Sequence, residues 1–170
     1  FGEDCVLHPS RLPIDHPQYT LSITLMIEVT DLLTRNHKEI AAIIRRNGDE
    51  LALIDSANCG NPYGEMKNDS VVAAAQMEFF AGLVTEMKGD TIPMGPDRVN
   101  MSVREPLGVV ARILAFNHPL MFCGGKMGAP LAAGNAVIVK PPVQAPLSAL
   151  RLAELIHGLL PAGVFSVLPG

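Results

Sequence analysis

The sequence predicts an α/β fold: an open parallel sheet built from strand–helix units, preceded by a helical segment and a β-hairpin. Three observations predict it. Leu107 to Phe116 is a nearly continuous apolar run, broken only by Gly108 and Arg112, which suits a parallel strand covered on both faces. The chain from Pro106 to Lys140 then reads as strand, sharp turn, helix, tight turn, strand. Upstream, Val99, Met101 and Val103 alternate with Arg98, Asn100, Ser102 and Arg104, the pattern of a half-exposed strand.

Residues 1–19, rich in Pro and His, are expected to form an extended arm. Residues 20–89 form the helical part. Leu25, Val29, Leu32, Ile40 and Ile43 give Leu21 to Ile44 near-helical spacing, although β-branched residues crowd its start. Asp49 is expected to cap a shorter helix, Glu50 to Ala57, which Cys59-Gly60-Asn61-Pro62 breaks. A long helix is predicted from Ser70 to Met87, capped by Asp69 or Ser70, with Val72, Gln76, Phe79, Phe80, Leu83 and Met87 as its apolar stripe.

Residues 90–105 are expected to form a hairpin, with Thr91-Ile92-Pro93 pairing with the alternating stretch. Residues 106–170 form the strand–helix units. Pro119 suits the first turn of a helix, because its φ is preset and its missing N–H costs nothing there. Leu120 to Ala133 supplies that helix, and Gly134-Asn135 ends it, both tolerating a left-handed cap. Ala136 to Val139 is the next strand, closed by Lys140-Pro141-Pro142. The last helix starts at Pro146 or Leu147 and ends near Gly158, and Val164 to Leu168 is a third buried strand.

Parallel neighbours present their carboxyl ends on one edge of the sheet, where ligands of open α/β sheets bind. Asn117 follows the first strand and Lys140 the second, so an amide and an ammonium are expected to face one crevice. Taken alone, Asn117 also reads as a helix N-cap, and Lys140 as a solvated surface charge. Cys123 sits one turn into an apolar, Gly-rich helix with nothing nearby to lower its pKa, so it reads as packing, as does Cys59 in its turn. His118 is read as a helix-entry residue. Gly124, Gly125 and Gly128 do not form the G-x-G-x-x-G fingerprint and read as close-packing residues.

With 170 residues the chain can bury one sizeable core. Its 48% hydrophobic and 18% charged residues are those of an ordinary globular protein. A net charge of −4 with no basic cluster argues against nucleic acid or an anionic membrane as partner. Its longest apolar run falls well short of the about 20 residues of a membrane span. Three widely spaced cysteines, Cys5, Cys59 and Cys123, suit neither a disulfide framework nor a metal site, and with no secretory signal visible a cytoplasmic location is expected. The scattered histidines likewise predict no metal. The first residue is Phe1 and not Met, so an earlier beginning is expected.

The run P-L-G-V-V, F-N-H-P, K-M-G-A-P-L-A-A-G-N-A-V-I-V-K-P-P, P-L-S-A-L-R-L-A-E-L and L-P-A-G-V-F-S-V-L-P-G resembles the amino-terminal portion of the NAD(P)-dependent aldehyde dehydrogenases. The resemblance spans about residues 36–170 and is dense from Arg104 onward. It implies the first half of an aldehyde-dehydrogenase-type Rossmann-like parallel sheet, and a parent enzyme that oxidises an aldehyde to an acid through cysteine attack, hydride transfer and thioester hydrolysis. It makes Asn117 the oxyanion donor and implies cofactor contacts at Ala115, Phe116, Lys140, Pro142, Val143 and Gly170. Lys140 would meet the adenosine ribose, or the 2′-phosphate of NADP. The family's nucleophile and general base lie beyond Gly170, so the catalytic domain is absent and the chain alone is expected to be inactive. The hairpin would help join subunits into a homodimer or homotetramer.

Two departures matter. The family usually has Pro-Trp-Asn where this chain has Ala115-Phe116-Asn117, and the asparagine is kept. It commonly has glutamate three residues after the lysine, bonding the ribose hydroxyls; here that residue is Val143, which predicts tolerance of NADP. The Phe116-Asn117-His118-Pro119 turn and Lys140-Pro141-Pro142 are similar to members acting on amino- or betaine-type aldehydes. Two alternatives stand beside this reading: a short non-catalytic interaction module of the same ancestry, and a related reductase of acyl phosphates.

Overall fold

A computed structural model describes the backbone of residues 17–170 and the side chains of residues 30–170. The expectation of an extended arm over 1–16 lies outside the described residues. Residues 17–19 are already helical: α1 runs Pro17–Arg46, so the β-branched residues near its start do not stop it. α2 is Gly48–Cys59 and α3 is Tyr63–Leu83.

Asp49 does not cap α2. Asn47 holds that position, its carbonyl accepting the Leu51 N–H at 3.0 Å, while Asp49 lies in the first turn beside Tyr63 and Lys67. Gly60, left-handed at φ 79°, closes the helix. α3 starts seven residues before the expected Ser70 and ends before Met87, and Asp69 and Ser70 are buried within it. Its inward stripe is also different: Met66, Ala73, Ala74, Met77 and Ala81 are buried, whereas Phe79 is 62% exposed and Leu83 and Met87 face out. Small residues on the inner face let α1 and α2 approach closely, and this decides the packing over bulk hydrophobicity.

β1 (Thr91–Pro93) pairs antiparallel with β2 (Val99–Met101) in a hairpin exposed on both faces. The parallel sheet has the order β3 (Val109–Ile113), β4 (Ala136–Lys140), β5 (Phe165–Val167). Its register places Val110 beside Val137 and Ile113 beside Lys140. Val137 and Val139 are fully buried against Leu131, Leu120, Cys123 and Leu152, with Phe165 and Val167 packed on the same cluster. β3 is shorter than the expected run and is covered on one face only; Val109 and Ile113 on the other face are 63% and 81% exposed. β5 is half-buried where a buried strand was expected.

The expected helix over 120–133 is interrupted. A π-type turn, Met121–Gly125, leads into the short α4, Gly128–Ala132. Gly124 lies against Ile44 and Ala73, and a Cβ on Gly125 would stand 2.1 Å from Gln76 Oε1. The glycines therefore serve close packing against α1 and α3. Gly134 takes the left-handed cap at φ 76°, but Asn135 does not. Its side chain instead bonds the Gly108 N–H and the Pro130 carbonyl, pinning the start of β3 to the end of α4. α5 (Leu147–Leu155) ends three residues before Gly158.

Candidate functional site

Asn117 and Lys140 stand at the carboxyl ends of adjacent parallel strands, on one edge of the sheet. Lys140 closes β4 beside Ile113, and its carbonyl accepts the Leu114 N–H at 3.1 Å, carrying the chain from β3 toward Asn117 along that edge. Ala115, Phe116 and Asn117 are all exposed there, as are Lys140, Val143 and Gly170, with Pro142 half-buried. The Lys140 ammonium donates to the Gly170 carbonyl, which brings the segment after β5 onto the same edge. All seven residues singled out from the sequence thus lie at the end of β4 or on the segments that follow β3, β4 and β5.

The local order of the Asn117 turn differs from a helix capped by that residue. The His118 carbonyl accepts the Phe122 N–H at 3.0 Å, so the first helical turn opens at His118. The Leu120 N–H, which a cap would satisfy, donates to Asp55 Oδ2 at 3.1 Å. Asp55 belongs to α2, so the cap comes from another element. The Asn117 side-chain amide makes no hydrogen bond among the described residues, and only its carbonyl is held, by the Asn61 amide at 2.7 Å. His118 Nδ1 lies 2.8 Å from Asp69 Oδ2, the imidazole N–H donating to a carboxylate from α3.

Asp55 is fully buried, and burial pushes its pKa up from 3.8 to about 6, with the Ser148 hydroxyl and the Leu120 N–H opposing the shift. The Ser148 hydroxyl lies close enough to oppose it without completing a hydrogen bond, since neither Ser148 Oγ nor Asp55 Oδ1 has a well-formed partner. Cys123 is fully buried; burial, then the Asp55 charge, pushes its thiol up to about 12. It cannot supply a thiolate near neutral pH. Cys59 Sγ lies 3.0 Å from the Asp55 carbonyl, a local contact within α2.

Asp55, Asp69 and Asn61 were not foreseen as partners of this turn. The available signal was an acidic side chain on an otherwise apolar helical face: Asp55 follows Leu51 and Ala52 on the buried side of α2. Among the described residues no three His, Cys, Asp or Glu side chains converge as metal ligands, and no helix is long and apolar enough to cross a membrane. A hollow of about 500 Å³ lined by Asp31, Thr34, Arg35, Lys38 and Glu39 lies along α1 alone, an open groove between neighbouring side chains that holds none of the residues singled out above.

Comparison with known proteins follows the same lines. The model of the aldehyde dehydrogenase family matches residues 34–170. Aldehyde dehydrogenase tropH of Talaromyces stipitatus is 50% identical over 137 residues, which cover 78% of this chain and 26% of that protein. PnpE from Pseudomonas sp. WBC-3, solved in complex with nicotinamide adenine dinucleotide, superposes with a TM-score of 0.78 at 38% identity, covering 84% of this chain and 29% of PnpE. Glyceraldehyde-3-phosphate dehydrogenase GapN from Methanocaldococcus jannaschii, solved with NADP, gives a TM-score of 0.77 at 29% identity, covering 83% of this chain and 32% of GapN. The chain therefore spans about a quarter to a third of the length of these relatives.

Proposed function

The chain belongs to the aldehyde dehydrogenase family, and we propose that it is the amino-terminal portion of an enzyme that oxidises an aldehyde to a carboxylic acid with NAD(P)+. The observation that carries this reading is the Asn117 amide, without a hydrogen-bond partner among the described residues, on the strand edge that also presents the Lys140 ammonium.

An amide free of hydrogen bonds among the described residues can donate to the aldehyde oxygen. Its bond strengthens as that oxygen gains negative charge on attack at the carbonyl carbon, so it stabilises the transition state more than the ground state. The attacking thiolate and the general base come from residues outside this chain, since Cys123 is too deeply buried to ionise. The residues at the edge fit a dinucleotide: an exposed ammonium at Lys140 for ribose hydroxyls or phosphate, beside exposed apolar surface at Phe116 and Val143 for the adenosine. Bound there, NAD(P)+ would accept the hydride from the aldehyde carbon. Val143 places no carboxylate against a 2′-phosphate, which supports use of NADP as well as NAD. The exposed hairpin β1–β2 is the element through which subunits would associate, and the 170 residues alone would turn over no aldehyde.

The test is the intact protein that carries this chain, supplied with NAD or NADP and a panel of aliphatic, aromatic and betaine-type aldehydes, and followed by absorbance of the reduced nicotinamide. Aldehyde-dependent reduction is expected. Its absence across the panel, in protein shown to bind nucleotide, overturns the reading.

A further inference from the structure

Each of three closely spaced residues at the Asn117 turn is gripped by a different side chain from outside the strand–helix unit. Asn61, between α2 and α3, donates to the Asn117 carbonyl at 2.7 Å. Asp69 of α3 accepts from the His118 ring at 2.8 Å. Asp55 of α2 accepts the Leu120 N–H at 3.1 Å. Asp55 and Asp69 are 0% and 4% exposed, and burying two carboxylates this close to one turn is costly unless the bonds they make are needed. The turn itself offers little rigidity: Asn117 has no side-chain bond among the described residues, and the helix that follows is broken after one turn.

We propose that Asn61, Asp69 and Asp55 are positioning residues, holding the Asn117 turn so that its side-chain amide points at the reacting carbonyl oxygen. The assignment rests on the reading of Asn117 as the oxyanion donor. The division of labour is physical. An oxyanion donor works only if its own N–H groups are unspent and its backbone is fixed, so the fixing must be done by other side chains. Here the carbonyl, the following ring and the next amide are each held, and the amide of Asn117 is left unspent.

The experiment is a set of double-mutant cycles in the intact enzyme: Asn61→Ala, Asp69→Ala and Asp55→Ala, each with and without Asn117→Ala. Readouts are kcat, KM, nucleotide affinity and amide hydrogen exchange across residues 117–120. Asn61→Ala removes the exposed bond to Asn117 and a 3.7 Å contact with Met66 Sδ but leaves the buried carboxylates untouched, so it guards against loss of folding at those carboxylates. Asn61→Ala, Asp69→Ala and Asp55→Ala are expected to lower kcat roughly tenfold or more with nucleotide affinity unchanged, because a small misplacement of a reacting group is amplified in rate. Exchange at 117–120 should quicken in all three. In the Asn117→Ala background these losses should vanish. Equal losses in both backgrounds, or no loss in any of the three variants while Asn117→Ala is impaired, overturn the positioning role alone. Full activity of Asn117→Ala overturns the oxyanion reading and the positioning role with it.

Discussion

Asp55 Oδ2 accepts the Leu120 N–H at 3.1 Å across a sequence separation of 65 residues, so the helix after β3 is capped by α2 and not by its own neighbour Asn117. This single bond releases the asparagine amide from local duty. It also places a buried carboxyl group whose pKa is raised to about 6 directly behind the turn.

Asp55→Asn should therefore flatten the dependence of stability on pH. Between pH 3.8 and about 6 the folded state keeps a proton at Asp55 that the unfolded chain has released. Its contribution to stability falls as pH rises through that window and stays lowest above it. With about 1.4 kcal/mol per pKa unit, the asparagine variant should gain up to about 3 kcal/mol above the window and nothing below it. Denaturant titrations at both ends would read this, and an unchanged pH profile would contradict it. Asp55→Ala, which strands the Leu120 N–H, should cost about 1–3 kcal/mol.

Asn117→Ala separates stability from chemistry. Its side chain makes no bond among the described residues, so the change in stability should stay within about 0.5 kcal/mol. In the intact enzyme kcat should fall by about 10²–10³, as for other oxyanion donors. A large drop in Tm with proportionate loss of activity would instead make the amide structural.

Cys123 should resist alkylation in the native protein at neutral pH, because burial raises its pKa to about 12. Mass spectrometry after iodoacetamide treatment should find label on half-buried Cys59 before it appears on Cys123. Rapid native labelling of Cys123 would show that the core around Leu120 and Leu152 opens.

Val143→Glu should restore a carboxylate beside Lys140 and shift kcat/KM toward NAD over NADP by roughly tenfold or more, through repulsion of the 2′-phosphate and bonding to the free hydroxyl. An unchanged ratio would mean that the adenosine ribose lies away from residue 143.

Gly89→Ala should displace the hairpin and leave the core alone. A Cβ at Gly89 would fall 1.8 Å from the Ser102 carbonyl oxygen, at the base of β1–β2, where Asp90 and Ser102 bond each other. In the intact protein, size-exclusion chromatography should show weakened subunit association with Tm nearly unchanged. Unaltered association would remove the hairpin from the subunit contact.

The sequence by itself determined the parallel strand–helix units and the hairpin, because apolar periodicity and turn residues are local and parallel topology leaves little choice of where strand ends lie. The aldehyde dehydrogenase motifs were equally legible in it. The tertiary structure alone decided which face of α3 turns inward, since Ala73 and Ala74 pack more closely than Phe79 and this depends on α1 and α2. It alone decided that β3 keeps one bare face. Above all, it decided what anchors the Asn117 turn. Asp55, Asn61 and Asp69 lie 49 to 65 residues from the backbone or ring they hold, and a hydrogen bond across that distance leaves no periodic trace in a chain. Local pattern could name the amide; only packing could show which side chains hold its turn.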